Sequence, residues 1–201
     1  MNIIPTLIYI GIFAYLCGSI PSAFIIGKAM AKIDIRQHGS GNVGSTNALR
    51  TLGLKGGLIS LLGDIFKTIA ALALPYFIKT PALGFFVAGL SVVLGHNWSI
   101  FLRFKGGKGV AVSASVITLL YPWIGITSLV ILVLVVWRTK FVSLGSILMA
   151  LFWPMGLLIF RFSAQNIGFA SILTIMIWLQ HRGNILRLIS GEERKISFTK
   201  K

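Results

Sequence analysis

The sequence predicts an all-α integral membrane protein of seven short transmembrane helices, with its N-terminus outside and its C-terminus cytoplasmic. Three observations predict it. First, 56% of the 201 residues are hydrophobic and 11% are charged, whereas a soluble domain carries about a quarter charged residues. So little charge cannot cover a water-facing surface, and the same composition excludes disorder and collagen-like repeats. Second, the mean hydropathy of +0.89 is concentrated in long apolar runs. Third, 19 Lys and Arg stand against 4 Asp and Glu, a net charge of +15, and the basic residues fall between the runs as the positive-inside rule requires. The length suits one integral membrane domain over residues 1–201.

The first run covers residues 3–26. No Lys or Arg precedes it, so it lacks the basic start of a secretory signal peptide and reads as a first transmembrane helix entering from outside. Further runs cover 58–78, 82–102, 110–137, 141–160 and 167–179. The fourth is ambiguous. As one straight helix it would be about 42 Å long, and a bilayer core is about 30 Å thick. Tyr121-Pro122 lies near its middle, so it is either one kinked, tilted span or a hairpin of two short helices. Charge separates the two. With a hairpin, 16 of the 19 basic residues lie on one side, in 28–55, 103–108, 138–140 and the tail from Arg182; with one span they divide evenly. Seven spans follow from the rule.

With that topology three polar stretches share the cytoplasmic side. The first runs from His38 through Gly39-Ser40-Gly41-Asn42-Val43-Gly44-Ser45-Thr46-Asn47 to Arg50. Gly39 to Gly44 fits G-x-G-x-x-G, but a dinucleotide fold needs a strand before it. It also nearly fits a nucleotide P-loop, but Ser45 stands where Lys is required. What remains is an anion nest of backbone N–H groups, with Ser40, Asn42, Ser45, Thr46 and Asn47 as side-chain donors and Arg50 as a planar phosphate contact. A plain inter-helix turn is the alternative.

The second stretch is Gly95-His96-Asn97-Trp98 followed by Arg103-Phe104-Lys105-Gly106-Gly107-Lys108-Gly109. Its glycines allow close backbone approach, and Lys105 and Lys108 are point charges for phosphate; the alternative is a positive-inside anchor. The third is His181-Arg182-Gly183-Asn184-Ile185, with Ser143 and Ser146 starting the sixth span on the same side. His96 and His181 could each be an interfacial residue, and the serines could be caps or packing residues. Asp64 and Lys67, spaced i, i+3 in the second span, can pair.

The chemistry is bounded by what these stretches lack. Val43, Phe101 and Leu186 occupy the fifth place after the three histidines, so no H-x4-D acyltransferase dyad exists. The four acidic residues lie outside the Gly-rich loops, too few for a carboxylate-held metal, and no metal or cofactor is expected. Cys17 is alone, so no intramolecular disulfide forms. The high pI has no soluble basic domain behind it, so nucleic acid is not an expected partner. Cations and neutral donors suit phosphate-bearing substrates, with the protein positioning anions and stabilising developing charge.

The ordered motifs 39–47, Gly95-His96 with Phe104-Lys-Gly-Gly-Lys-Gly-Val110, and His181-Arg-Gly-Asn184-Ile resemble the acyl-phosphate-dependent glycerol-3-phosphate acyltransferase family of the bacterial inner membrane, the lysophosphatidic acid synthases. The resemblance covers essentially the whole chain. It implies seven helices, a cytoplasm-facing site, and transfer of a fatty acyl group from acyl phosphate to the 1-hydroxyl of sn-glycerol 3-phosphate. Acyl-CoA and acyl carrier protein would not be direct donors, and a soluble phosphate acyltransferase would supply the donor through transient contact. Position by position, Ser40 and its loop match the phosphate-holding loop, Arg50 and Lys108 the cationic contacts, and Ser146, His181 and Asn184 the polar residues completing the glycerol-phosphate site. Ser40, Arg50, Lys108, His181 and Asn184 are thus expected to be catalytic. Gly39, Gly41, Asn42, Gly44, Ser45, Thr46, Asn47, His96, Lys105, Gly106, Gly107 and Ser146 are expected to bind substrate. Gly183 departs from the family, which usually has an acidic or other polar residue there. The competing class is a transporter of small phosphorylated anions; the short chain shows no inverted repeat and few ionisable residues in its spans.

Overall fold

A computed structural model of the chain describes residues 3–196; Lys200 and Lys201, counted above in the basic tail, lie outside them. The described residues form α-helices and short 3₁₀ turns, without strands. The helices are α1 (Ile3–Ser19), α2 (Ser22–Ala31), α3 (Ser45–Phe77), α4 (Ala82–Asn97), α5 (Val110–Leu120), α6 (Pro122–Thr139), α7 (Val142–Ile159), α8 (Ala164–Gln180) and α9 (Arg182–Ile189). Five stretches are long and apolar enough to cross a membrane: Ile3–Ala31, Ser45–Phe77, Ala82–Leu102, Pro122–Thr139 and Val142–Ile159; α5 and α8 are shorter apolar helices.

Three boundaries differ from the sequence reading or settle it. The first apolar run is two helices, broken at Ile20-Pro21, because proline has no N–H and disfavours the α region in the residue before it. The first polar stretch is a loop only as far as Gly44. Ser45 to Arg50 already lie in α3, which bends at Gly53, where φ is 75° and ψ is −172°. The 110–137 run breaks at Tyr121, with Pro122 opening α6 where its missing N–H has no consequence. Gly125 then sits against the Thr118 backbone, so α6 folds back beside the end of α5.

The chain divides into two compact units, Met1–Ser113 and Ala114–Lys201. In the first, α1 packs on α4 and α3, and α2 packs on α3. The α1–α4 contact is close because Gly18 meets the Val92 backbone and Gly95 meets Tyr15 and Ser19; a Cβ at either glycine would collide there. In the second unit α7 packs between α6 and α8 and also touches α9. Trp153 is fully buried and donates its indole N–H to Ser128 Oγ at 2.9 Å, which satisfies the polar atom that burial of a tryptophan brings in.

Candidate active site

In the first unit the glycine loop rests on a small apolar cluster. Ala23, Ile35, Val43, Ala48 and Leu102 are buried together, with Phe24 and Leu52 packed against them. Ala48 and Leu52 are one helical turn apart, so this face of α3 is the reason residues 45–52 are helical. The loop above them is tied by Asn47, which is 1% exposed. Its Oδ1 accepts the Ser40 N–H at 2.7 Å, and its Nδ2 faces the carbonyls of Asn42, Ile35 and His38 at 2.9, 3.1 and 3.1 Å. Expected as a direct donor to substrate, Asn47 instead commits its amide to the loop. Gly39, at φ 60°, passes so close to Asn47 Oδ1 that a Cβ would overlap it.

The anion nest also moves. Ser40 N–H is used by Asn47 and Gly41 N–H donates to the His38 carbonyl at 3.0 Å. Among the described residues, no acceptor meets the N–H groups of Gly44, Ser45 and Thr46. These open the 45–52 helix, and N–H groups at a helix start carry the positive end of its dipole. The loop therefore delivers the chain to a helix N-terminus suited to an anion. Ser40 is exposed beside it and Arg50 is half-buried one turn further on.

The second stretch folds back along the end of α4. Gly106 N–H donates to the Asn97 carbonyl at 3.1 Å and Gly107 N–H to the His96 carbonyl at 2.9 Å. These two amides cap α4's terminal carbonyls, so their N–H groups are already used. The glycines are needed for proximity: a Cβ at Gly106 would strike the His96 and Asn97 carbonyls, and one at Gly107 the His96 imidazole. Lys105 is exposed and Lys108 half-buried. Beneath them Asp64 and Lys67 do form the expected pair at 2.8 Å, both buried. Three partners were not foreseen: Ser22 Oγ donates to Asp64 Oδ1 at 3.0 Å, and Lys67 Nζ reaches the Ile20 carbonyl and His96 Nδ1, each at 2.9 Å. The Ile20 carbonyl is one that the Pro21 break leaves without a helical donor.

The second unit holds Ser143, Ser146, His181 and Asn184, all buried. The residue that ties α7 to α9 is one that sequence reasoning missed, Glu193. Its Oε1 accepts from Asn184 Nδ2 at 2.6 Å and from Ser143 Oγ at 2.9 Å, and its Oε2 from Arg187 Nε at 2.8 Å. Burial raises the Glu193 pKa, but these hydrogen bonds and the Arg187 charge outweigh it and hold the carboxyl below its ordinary range. Ser146 is not part of this group; its Oγ donates to the Val142 carbonyl at 2.8 Å. His181 caps α8, and its Nδ1 is 2.9 Å from the Ile177 carbonyl. A carbonyl only accepts, so Nδ1 carries the proton and Nε2 the lone pair of the neutral ring.

Three of the chain's four carboxylates are thus in ion pairs: Asp34 with Arg36 at 2.7 Å, Asp64 with Lys67, and Glu193 with Arg187. Glu192 is exposed and meets Ser190 Oγ at 3.4 Å.

A family model described as glycerol-3-phosphate acyltransferase matches residues 8–191. A glycerol-3-phosphate acyltransferase of Alkaliphilus metalliredigens is 43% identical over 187 residues, 92% of this chain and 93% of that one. One of Bacillus subtilis is 42% identical over 190 residues, 93% of this chain and 96% of that one. Among solved structures, the fold is similar to PlsY, an integral membrane glycerol 3-phosphate acyltransferase, in its glycerol 3-phosphate form. The TM-score is 0.88 at 32% identity, with 96% of each chain covered.

Proposed function

The chain belongs to the glycerol-3-phosphate acyltransferase family, and from that premise we propose that it moves a fatty acyl group from acyl phosphate to the 1-hydroxyl of sn-glycerol 3-phosphate. The hydroxyl oxygen bonds to the acyl carbon and the bond from that carbon to the phosphate oxygen breaks. Lysophosphatidic acid and inorganic phosphate leave. A phosphate oxygen of a substrate takes the hydroxyl proton. The carrying observation is that Asp34, Asp64 and Glu193 are bound to cations, while the amides at the start of α3 are open to an anion. That combination favours catalysis by placement and charge stabilisation over a carboxylate base.

In this reading the start of α3 and Ser40 receive the donor phosphate, and Asn47 shapes that loop. Arg50 and Lys108 contact substrate phosphate, with Lys105 adding positive potential. His181, Asn184 and Ser146 complete the glycerol-phosphate side. Residues 1–201 act as one domain of seven spans in the bacterial inner membrane, N-terminus outside, with the site open to the cytoplasm. The orientation rests on the positive-inside rule. A soluble phosphate acyltransferase delivers the donor through transient contact.

The test is purified protein with palmitoyl phosphate and labelled glycerol 3-phosphate, with acyl-CoA as the comparison donor. Lysophosphatidic acid should form from acyl phosphate and not from acyl-CoA. Equal rates from both donors overturn the donor assignment; no product from either overturns the reaction.

A further inference from the structure

Lys67 lies two helical turns inside α3's apolar stretch, 5% exposed. Its ammonium has three protons and no lone pair. The three partners are Asp64 Oδ1 at 2.8 Å, the Ile20 carbonyl at 2.9 Å and His96 Nδ1 at 2.9 Å. Because the ammonium can only donate, His96 Nδ1 must accept. The ring is therefore neutral and carries its proton on Nε2. Asp64 balances the ammonium, and its Oδ1 stands 3.7 Å from His96 Nδ1, outside hydrogen-bond range.

The other edge of that ring faces the second loop. His96 Nε2 lies where a Cβ on Gly107 would be, and Gly107 N–H holds the His96 carbonyl. The next residue, Asn97, is 3% exposed, and neither its Oδ1 nor its Nδ2 has a hydrogen-bond partner. That amide lies against Gly109, where a Cβ would be 2.7 Å from Oδ1 and 3.3 Å from Nδ2. Buried polar groups in native proteins are nearly always paired, so an amide left open beside a lysine-bearing loop has a ligand to meet. An imidazole N–H and an amide N–H, both neutral, are set on consecutive residues against the same four-residue turn.

We infer that Lys67 is a positioning residue for this reaction. By donating to His96 Nδ1 it fixes the Nε2–H tautomer, so that His96 and Asn97 offer two N–H donors at Gly107 and Gly109 to a phosphate oxygen of substrate. The inference rests on the acyl-transfer reading for its substrate and on geometry alone for the tautomer.

Two measurements separate these. The first uses full-length protein in detergent micelles with ¹⁵N-labelled histidine, the His96 signals being assigned by loss in His96→Gln. They should show a protonated Nε2 and an unprotonated Nδ1, and glycerol 3-phosphate or inorganic phosphate should shift Nε2. A protonated Nδ1, or an Nε2 indifferent to both anions, overturns the inference whatever the enzyme's activity. The second is a cycle of Asp64→Asn/Lys67→Met and His96→Gln; removing both buried charges leaves neither unpaired. In the wild-type background the charge-free pair should lower kcat/KM for glycerol 3-phosphate by roughly tenfold or more and mix the His96 tautomers. In the His96→Gln background it should lower it little further. Additive losses overturn the inference, and if the charge-free variant does not fold, the NMR arm decides alone.

Discussion

Asn184 Nδ2 donates to Glu193 Oε1 at 2.6 Å, across a chain reversal that returns the segment after α9 to the start of α7. The same carboxylate holds Ser143 and Arg187, so the orientation of Asn184 depends on a residue nine positions later. Glu193→Gln keeps the shape and removes the charge. It should cost about 1.5–3 kcal/mol of stability, the range for a hydrogen bond to a charged group, read as thermal unfolding in detergent. It should also lower kcat/KM, whereas Glu192→Gln, at an exposed position, should change neither.

The same carboxylate gives a pH dependence. Glu193 has a folded pKa below its ordinary value of 4.5. A group depressed on folding contributes stability above its unfolded pKa and loses it as pH falls through the folded one. Asp34 acts in the same direction: the Arg36 hydrogen bond, first among its causes, brings it from 3.8 to about 2. Unfolding temperature should therefore be flat above pH 4.5 with respect to these groups and fall below it. The Glu193→Gln protein should show a shallower fall than wild type, and Asp34→Asn should remove the part nearest pH 2. An unchanged slope in both variants contradicts the assignment.

Asn47 can be tested with an isosteric change. Asn47→Asp keeps an acceptor for the Ser40 N–H but turns an oxygen toward the carbonyls of Ile35, His38 and Asn42. The two N–H donors that these three carbonyls share are lost, and oxygen faces oxygen in a site 1% exposed. A loss of at least 2 kcal/mol of stability, about the cost of one unsatisfied buried group, is expected, with activity falling alongside. An Asn47→Asp protein of wild-type stability would show that the loop does not depend on this amide.

How far these features were legible follows from where their partners lie in the chain. The apolar runs announce helices through composition alone, and α4 falls within the run from which it was expected. The break at Pro21 was signalled locally by proline, but the run looks equally apolar on both sides of it. Residues 45–52 read as loop because they are polar and flanked by glycine; they are helical because Ala48 and Leu52 find Ile35, Val43 and Leu102. That is a tertiary cause. The glycine motifs showed where the backbone would pass closely, but not that Gly106 and Gly107 would direct their N–H groups at α4. Glu193 could have been suspected from its rarity, as one of four acids in a chain of net charge +15. Its partners could not, because they depend on the reversal after α9.

Gly107→Ala separates proximity from flexibility. The added methyl would meet the His96 imidazole, which Lys67 holds through Nδ1, while the Gly107 N–H holds the His96 carbonyl beside it. Overpacking of this kind costs about 1–3 kcal/mol, and the displaced loop should carry Lys108 out of position and reduce activity with it. Gly168 in α8 provides the contrast, with nothing within 4 Å of its Cβ position; Gly168→Ala should stabilise by about 0.5–1 kcal/mol, as alanine does in a helix. Equal effects at both sites would mean that His96 does not constrain the loop.

The proton acceptor decides how His181 and Lys108 should differ. His181 has Nδ1 engaged by the Ile177 carbonyl, which leaves Nε2 as the basic atom of the ring. A general base contributes about 10²–10⁴-fold. If a substrate phosphate oxygen takes the proton, His181→Ala should keep measurable turnover and lose mainly affinity for glycerol 3-phosphate. Complete loss of turnover with glycerol 3-phosphate still bound would instead assign the proton to His181. If Lys108 stabilises the transition state as one electrostatic donor, Lys108→Ala should cost roughly 2–4 kcal/mol in kcat. Near-normal turnover in that variant would take Lys108 out of the reaction. The two single variants, assayed for kcat and for bound glycerol 3-phosphate, therefore discriminate a substrate-assisted transfer from one driven by histidine.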